Sequence, residues 1–234
     1  MKPNNNKWWE NASPSKVKRR QGALLHSYLK LRVVPFVAHY HQLFKDANLT
    51  ADDIKSTDDL VKLPFTSKRD LAETRDFIVI PDEAVLKRQR STWLKILRYG
   101  PTGVKQVLAE ELRPIHMTST TGRSSEPVPF LYTKHDLANL ETGGLRLMQL
   151  AECESEFRCI NAFPFAPHLA FWQAWYAGLA NTCFCLATGG GKVMGTSGNA
   201  KMIDTIQPDC IIAMPTFFYH LLNYAISNPK DSFD

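Results

Sequence analysis

The most constraining feature of this 234-residue chain is a change of pattern at Arg113. From there on, short runs rich in β-forming residues alternate with longer stretches that have helical spacing. Strands and helices that alternate in this way form βαβ units, whose strands lie side by side in a largely parallel sheet. The pattern therefore predicts an α/β fold. The predicted strands are Val128–Tyr132, Phe157–Phe163, Thr182–Ala187 and Cys210–Met214, and the predicted helices span about 134–150, 169–178, 198–206 and 216–227.

The chain before this point has a mainly helical pattern. Apolar residues recur at helical spacing behind the candidate caps Ser13 and Ser15, which predicts a helix through about Arg32. The segment Ser56–Asp59 has the form of a capping box before a short helix, and Gly100-Pro101 predicts a helix break. Two regions are therefore predicted, a mainly helical one at 1–112 and an α/β one at 113–234.

The composition excludes several classes of protein. An apolar content of 44% and a charged content of 22% are those of a soluble globular protein. The longest apolar stretches, such as Ile211–Pro215, are too short to span a bilayer, and the N-terminus lacks the apolar core of a signal peptide. A cytoplasmic protein is the default expectation.

The cysteines predict buried free thiols rather than a metal site or a disulfide framework. They are five in number and contain no C-x-x-C pair, and the chain has no H-E-x-x-H motif. Cys183 and Cys185 alternate within an apolar run, so both should point to the same face of a strand. The five are Cys153, Cys159, Cys183, Cys185 and Cys210.

Charge is distributed unevenly along the chain. Residues 1–113 carry 21 Lys and Arg against 13 Asp and Glu, whereas residues 114–234 carry 7 against 10. The basic residues are spread along helical stretches with acids between them, apart from Lys16–Arg20 and Lys87–Arg90, and no aromatic residues interleave on a basic face. Solvated helix faces explain this pattern better than nucleic-acid binding does.

A loop rich in hydroxyl side chains is the first candidate for chemistry. Between Thr118 and Pro127, six hydroxyl residues, one glycine and one arginine come directly before an apolar run. Backbone N–H groups and hydroxyls in such a loop can surround a phosphate group. An ordinary Ser/Thr turn is the alternative interpretation of the same residues.

Two further candidates follow predicted strands, where open α/β sheets place their ligands. The segment Asn161–His168 ends a strand with two prolines and would hold His168 at the start of a helix, although a structural histidine is the commoner outcome. The run Gly189–Gly191 matches neither a P-loop, which would need glycine in place of Leu186, nor a dinucleotide fingerprint, which would need glycine in place of Met194. Close approach of the backbone to a ligand and ordinary turn geometry both remain open for this run.

Taken in order, five motifs resemble the phenylacetate–coenzyme A ligase branch of the adenylate-forming (acyl-CoA synthetase) superfamily. That branch has a P-F-T-x-K-x-D-L element, a hydroxyl-rich S-G-T-T-G loop, a Y-T-x-x-D-L helix start and a P-[ST]-x-x-x-x-L-L segment. The resemblance runs from about Trp8 to the C-terminus. The motifs here are Leu63-Pro-Phe-Thr-Ser-Lys-Arg-Asp-Leu71, Thr118-Ser-Thr-Thr-Gly122, Tyr132-Thr-Lys-His-Asp-Leu137, Phe163-Pro-Phe-Ala-Pro-His168 and Met214-Pro-Thr-Phe-Phe-Tyr-His-Leu-Leu222.

The resemblance implies a two-step reaction, in which a carboxylic acid and ATP form an acyl-adenylate and pyrophosphate, and a thiol then displaces AMP. It implies ATP, Mg²⁺ and coenzyme A as cofactors, with a small carboxylic acid as substrate, and leaves a homodimer open. Phosphate binding is carried over to Thr118, Ser119, Thr120, Thr121 and Gly122, with Arg123 as an added positive charge. The substrate-pocket candidates are Phe165, His168, Gly189, Gly190 and Gly191, and no catalytic residue or metal ligand is assigned.

Three departures from the family pattern qualify the resemblance. Ser119 replaces the first glycine of the loop, which narrows the available backbone angles, and Arg123–Pro127 replaces the usual Lys-Pro. The aromatic-Gly-x-Thr-Glu segment, the ribose-binding Asp and the mobile C-terminal domain of the family do not occur before Asp234. We therefore expect the N-terminal part of a ligase for an aromatic or long apolar acid, inactive by itself. The alternative is a degenerate ligase-like module that binds without catalysis.

Overall fold

The computed structural model describes residues 11–121 and 126–228 of the chain. These residues divide into two compact units, one ending at Arg113 and the other beginning at Pro114. The helices of the first unit are α1 (Pro14–Tyr28), a π-helical turn (Leu29–Val33), α2 (Val34–Phe36), α3 (Ala38–Asp46), the 3-10 helices Ala51–Asp53, Thr57–Lys62, Asp70–Ala72 and Thr74–Phe77, α4 (Glu83–Arg88) and α5 (Arg90–Leu112).

Local sequence signals explain where the helices of the first unit begin and end. The Ser13 hydroxyl caps α1, and the predicted capping box of Ser56 and Asp59 is present. Gly100 interrupts α5 with φ 72°, which confirms the predicted break. Pro35, by contrast, does not end the first helical stretch: helical backbone continues to Phe36, because proline is tolerated in the first turn of the short helix α2.

The second unit contains a hairpin followed by alternating strands and helices. Its elements are β1 (Pro114–Ser119), β2 (Pro129–Thr133), α6 (Lys134–Leu150), β3 (Arg158–Asn161), α7 (Leu169–Asn181), β4 (Phe184–Ala187), the 3-10 turn Gly190–Lys192, α8 (Gly195–Ile206), β5 (Cys210–Ile212) and α9 (Pro215–Ser227). Strands β3, β4 and β5 form a parallel sheet in the order β4-β3-β5, which confirms the predicted α/β fold.

The hairpin differs from the sequence prediction in two ways. The predicted strand Val128–Tyr132 does not join the parallel sheet, because β2 pairs antiparallel with β1. Strand β1 itself was missed by the pattern, so that Thr118 and Ser119 end a strand instead of opening the hydroxyl loop. This short segment pairs here because its partner strand follows it closely in the chain and returns alongside it as a hairpin.

Helices cover both faces of the parallel sheet. Ile160 of the central strand and Ala162, just beyond its end, pack with residues of α8 and α9, whereas Cys159, the residue before Ile160, packs with residues of α6 and α7. Adjacent strand residues point to opposite faces, so one helix pair lies on each side. Strand order and helix placement are those of an open α/β sheet, in which ligands bind beyond the carboxyl ends of the strands.

All five cysteines lie in one cluster on the face covered by α6 and α7. The register places Cys185, Cys159 and Cys210 in a row across the three strands, and Cys183 joins the same cluster, as the alternation predicted. All five are free thiols. Burial, with a contribution from the neighbouring Cys210 thiol, raises the pKa of Cys153 to about 11, and burial raises the pKa of Cys159 and Cys185 as well.

We expect these thiols to react slowly in the folded protein. A pKa of about 11 leaves Cys153 very little thiolate at pH 7, and only the thiolate attacks a disulfide reagent. A thiolate of higher pKa is intrinsically more nucleophilic, which offsets part of this loss of thiolate. Labelling of Cys153 by an aromatic disulfide should therefore be roughly tenfold to thirtyfold slower in the folded protein than in urea-unfolded protein. Peptide mapping after timed quenching measures each site, and equal rates in both states would contradict the cluster.

Candidate functional site

Two threonine hydroxyls close the neck of the hydroxyl-rich hairpin loop. The Thr118 side chain is buried and shares a hydrogen bond of 3.1 Å with the Tyr132 hydroxyl on the facing strand. The Thr120 N–H donates to the Val128 carbonyl, and the Val128 N–H donates to the Thr120 hydroxyl. Both threonines are among the residues predicted to bind phosphate, and in this structure their side chains form hydrogen bonds across the base of the loop.

Strand β1 is tied to the segment that leads into α7. The Ser119 N–H donates to the Pro167 carbonyl at 2.6 Å, and the Ser119 carbonyl accepts from Nδ1 of His168 at 2.9 Å. Because a carbonyl can only accept, Nδ1 of His168 carries the proton. Nε2 makes no hydrogen bond with any residue in the described ranges. The structure thus brings two separately predicted site residues, Ser119 and His168, into direct contact.

The extended backbone of Ser119 explains why a serine can occupy the position of the first loop glycine. Ser119 is the last residue of β1 and is absent from the non-glycine residues with positive φ. Any L-residue adopts this conformation, so the substitution imposes no strain at this position. The hydroxyls of Ser119 and exposed Thr121 have no partner within the described residues and can serve as donors. Gly122 and Arg123 lie outside the described residues.

The three glycines of the run after β4 are each packed too closely for a side chain. A Cβ on Gly189 would lie 2.7 Å from the Phe165 ring, and one on Gly191 would lie 2.7 Å from the Phe217 ring. A Cβ on Gly190 would lie 2.7 Å from the Ala162 carbonyl oxygen. Gly189 and Gly190 also have positive φ. Close packing of the protein against itself therefore accounts for all three glycines.

Two buried polar side chains, Thr188 and Asn199, hold this glycine run from behind. Each is about 1% exposed, in an otherwise apolar part of the core. The Thr188 hydroxyl donates to Oδ1 of Asn199 at 2.7 Å, and Nδ2 of Asn199 donates to the carbonyls of Gly190 and Gly195 at 3.1 and 2.7 Å. The sequence prediction missed this pair. The position of Asn199 directly before the small apolar residue Ala200, which is itself fully buried, was an available signal of a polar side chain in the core.

Beyond the carboxyl ends of the three parallel strands lies a cleft of about 340 Å³. Each strand contributes the segment that follows it, and the walls are largely apolar. Among the predicted pocket residues only Gly191 lines the cleft directly, while Phe165 packs behind it on Gly189. The described lining consists of Ala162, Pro164, Gly191, Lys192, Met214, Thr216, Phe217 and His220. Lys192 and His220 were not singled out from the sequence, because their positions become meaningful only once the strands are aligned.

One short segment connects the cleft to the hairpin. Pro164 lines the cleft, and His168, four residues later, binds the Ser119 carbonyl. Four residues span at most about 14 Å even when fully extended. The cleft and the neck of the hydroxyl loop are therefore close enough for one small molecule to reach both.

Two classes of feature were not found among the described residues. No group of three or more His, Cys, Asp or Glu side chains within 11–121 and 126–228 is arranged to hold a metal ion. In the same ranges, the helices fall short of the length and apolar character needed to cross a bilayer.

Comparison with known proteins supports the resemblance seen in the motifs. No protein-family model matches the chain. It is 25% identical over 198 residues to a phenylacetate–coenzyme A ligase from Aromatoleum evansii and 23% identical over 205 residues to one from Pseudomonas putida. These alignments cover 80% and 88% of this chain but only 36% and 38% of the relatives. The chain thus spans somewhat more than a third of the length of the curated relatives it matches.

Solved structures agree with this relationship at the level of the fold. A 2-hydroxyisobutyryl-CoA ligase, solved with 2-HIB-AMP and CoA, superimposes with a TM-score of 0.72 at 15% identity. The match covers 94% of this chain and 41% of that one. The same ligase in its postadenylation state, with 2-HIB-AMP, gives a TM-score of 0.72 at 16% identity. The chain therefore has the fold of the corresponding part of an adenylate-forming ligase.

Proposed function

We propose, from the relationship of this chain to the phenylacetate–coenzyme A ligases of the adenylate-forming superfamily, that it contributes the phosphate-side loop and the acyl cleft of an ATP-dependent acid–thiol ligase. The observation that carries this proposal is the contact between Ser119 and His168. It joins the hydroxyl loop to a segment that also lines the strand-end cleft. An acid held in the cleft would thus lie beside a nucleotide held by the loop.

The residues of the hairpin would position phosphates by hydrogen bonding. The Thr118–Tyr132 and Thr120–Val128 hydrogen bonds hold the two ends of the loop at a set distance. Ser119 and Thr121 then offer hydroxyl donors that have no partner among the described residues. Donors that are already oriented stabilise negative charge as it develops on a leaving group, without further reorganisation.

The described residues fit the implied nucleotide and magnesium ion in part. ATP supplies the electrophilic α-phosphate when bound, and Mg²⁺ usually binds through one or two carboxylates together with phosphate oxygens. Glu126 is the carboxylate of the loop that would hold the ion, and its side chain is exposed. Ser119 and Thr121 would hold the phosphates.

The cleft would hold the apolar body of the acid, and His168 would orient its carboxylate. Phe217, Met214 and Pro164 supply apolar surface, and Nε2 of His168 is the ring nitrogen that remains for a ligand. A cleft of about 340 Å³ lies at the small end of the range for small-molecule sites. An aromatic acid of one ring suits this volume better than a long fatty acid.

Acid-dependent exchange of labelled pyrophosphate into ATP tests the proposal. The assay is run with a panel of aromatic and aliphatic acids, on the chain and on the product of its complete reading frame. Exchange that requires both acid and the product of the complete reading frame is the expected result, and the chain by itself is expected to show none. A folded product of the complete reading frame that shows no exchange with any acid of the panel would contradict a ligase function.

Variants of His168 separate its contact with Ser119 from a general structural role. His168→Phe removes the hydrogen bond to the Ser119 carbonyl and is expected to reduce exchange roughly tenfold to a hundredfold by displacing the loop. His168→Asn can place an amide N–H near the position of Nδ1 and should retain more activity than His168→Phe. Exposed His135, on α6, gives the matched control His135→Asn.

The melting temperature of each variant shows whether a loss of exchange reflects unfolding. Equal activity in His168→Phe and the wild type would remove His168 from the site. Equal losses in His168→Phe and His168→Asn would instead assign the role to Nε2.

A degenerate module that binds without catalysis is the second candidate. The observation that favours it is the use of two loop hydroxyls, those of Thr118 and Thr120, in hydrogen bonds within the hairpin. Fewer free donors then remain for phosphates. Calorimetry separates the two functions: binding of an acid without any binding of ATP, in a product that shows no exchange, is the result expected of the module.

A further inference from the structure

The strand-end cleft has a positively charged side chain at its rim as well as apolar walls. Lys192 lines it, and its described lining contains no acidic side chain. The Lys192 ammonium makes no ion pair or hydrogen bond with any residue within 11–121 or 126–228. A lysine beside an apolar cleft, without a carboxylate partner, favours an anionic group in the ligand.

The start of α9 adds to this positive potential. The helix begins at Pro215, and no side chain of the described residues caps its first turn. The N–H groups of Thr216 and Phe217 therefore face the N-terminal end of the helix without a side-chain acceptor, next to the lining residues. The partial positive charge of a helix N-terminus acts in the same direction as Lys192.

Contacts with the core determine where the backbone of Lys192 lies. It closes the 3-10 turn Gly190–Lys192, whose first residue is held by Asn199 and whose second packs on Phe217. The backbone that carries the lysine is therefore rigid, while its side chain is exposed. A lysine whose backbone is fixed and whose ammonium is exposed can select a ligand by the position of the negative charge on that ligand.

We propose that the substrate of this cleft is an aromatic acid with a second anionic group, and that Lys192 recognises that group. The inference rests on the proposed ligase function, because that function assigns the first carboxylate to the His168 end. Pro164 lines the cleft and lies four residues before His168, so one short segment joins the two ends of this site. The ring then contacts Phe217 and Met214, and the distal carboxylate meets the Lys192 ammonium.

Binding of three matched acids to the whole chain tests this inference without any need for catalysis. The ligands are phenylacetate, 4-methylphenylacetate and 4-carboxyphenylacetate, which differ only at the ring position opposite the reactive side chain. Their dissociation constants are measured by calorimetry at neutral pH and low salt. We expect the dicarboxylate to bind roughly five- to tenfold more tightly than its methyl analogue, as a charge-assisted hydrogen bond provides.

The variant Lys192→Gln should abolish this preference, so that 4-carboxyphenylacetate binds no more tightly than 4-methylphenylacetate. Lys201→Gln, which removes an exposed lysine on α8 outside the cleft, is the matched control and should retain the preference. Tighter binding of the methyl analogue to the wild type, an unchanged preference in Lys192→Gln, or no binding of any of the three acids would each overturn the inference. Acid-dependent exchange with monocarboxylic acids alone would overturn it too, while leaving the proposed ligase function intact.

Discussion

Replacing Gly144 with alanine is expected to lower the free energy of unfolding by about 2 kcal/mol, whereas the same change at Gly143 should raise it by up to about 1 kcal/mol. The two glycines are neighbours in α6. A Cβ on Gly144 would lie 2.6 Å from the Cα and 2.8 Å from the amide nitrogen of Ala177 in α7, while one on Gly143 would meet nothing within 4 Å. Backbone cannot move aside as a flexible side chain can, so the two helices would have to separate.

Opposite signs for two adjacent substitutions make this test sharp. Both variants gain the same helix propensity, because alanine restricts the unfolded chain more than glycine does. Urea denaturation at a fixed temperature measures both free energies. Stabilisation by Gly144→Ala would mean that α6 and α7 do not pack at this distance, and the face of the sheet that holds the five thiols would then need a different cover.

Replacing Asn199 with leucine is expected to cost about 2–3 kcal/mol, since it leaves the buried Thr188 hydroxyl without its acceptor and the Gly190 carbonyl without its best donor. Leucine has the same branching and the same number of non-hydrogen side-chain atoms as asparagine but a larger volume, so the cost comes from unmet hydrogen bonds and tighter packing and not from a cavity. The Gly190 carbonyl keeps its contacts with the N–H groups of Val193 and Met194, at 3.4 and 3.3 Å, which limits the loss.

A double-mutant cycle with Thr188→Val identifies the cause. Thr188→Val removes the hydroxyl, so Asn199→Leu in that background should cost at least 1 kcal/mol less than it does in the wild type. Asn223→Leu is the control, because the Asn223 side chain is exposed and bonds only to the Tyr219 carbonyl one turn earlier in α9. Additive effects at positions 188 and 199 would show that the buried hydrogen bond contributes nothing.

The variant Asn199→Leu also tests whether the hydrogen bonds of the core affect the cleft. The Asn199 amide holds Gly190, and Gly191 and Lys192 are the next residues along the chain. A looser glycine run should weaken acid binding in Asn199→Leu even at temperatures where the protein stays folded. Unaltered binding would separate the hydrogen-bond network from any role in the site.

The success of the sequence prediction varies with the range of the interactions involved. The helices of the second unit begin and end within a few residues of the predicted bounds, because apolar spacing and caps such as Thr133 are local signals. Strand β1 was missed because pairing with β2, and not the propensity of its own residues, makes it a strand. For the glycine run, the sequence indicated a permissive backbone but not its close packing, since the packing partners Phe165 and Phe217 come from two other segments.

By itself, the sequence determined the alternation of strands and helices, and with it a parallel sheet whose ligands belong beyond the strand ends. It also contains, in the same order, motifs that resemble those of the adenylate-forming ligases. The tertiary structure alone decided that the hydroxyls of Thr118 and Thr120 form hydrogen bonds within the hairpin, because the partners of both residues lie across it. It also decided that Lys192 meets Phe217 at one cleft, since residues that follow different strands become neighbours only when those strands align in a sheet.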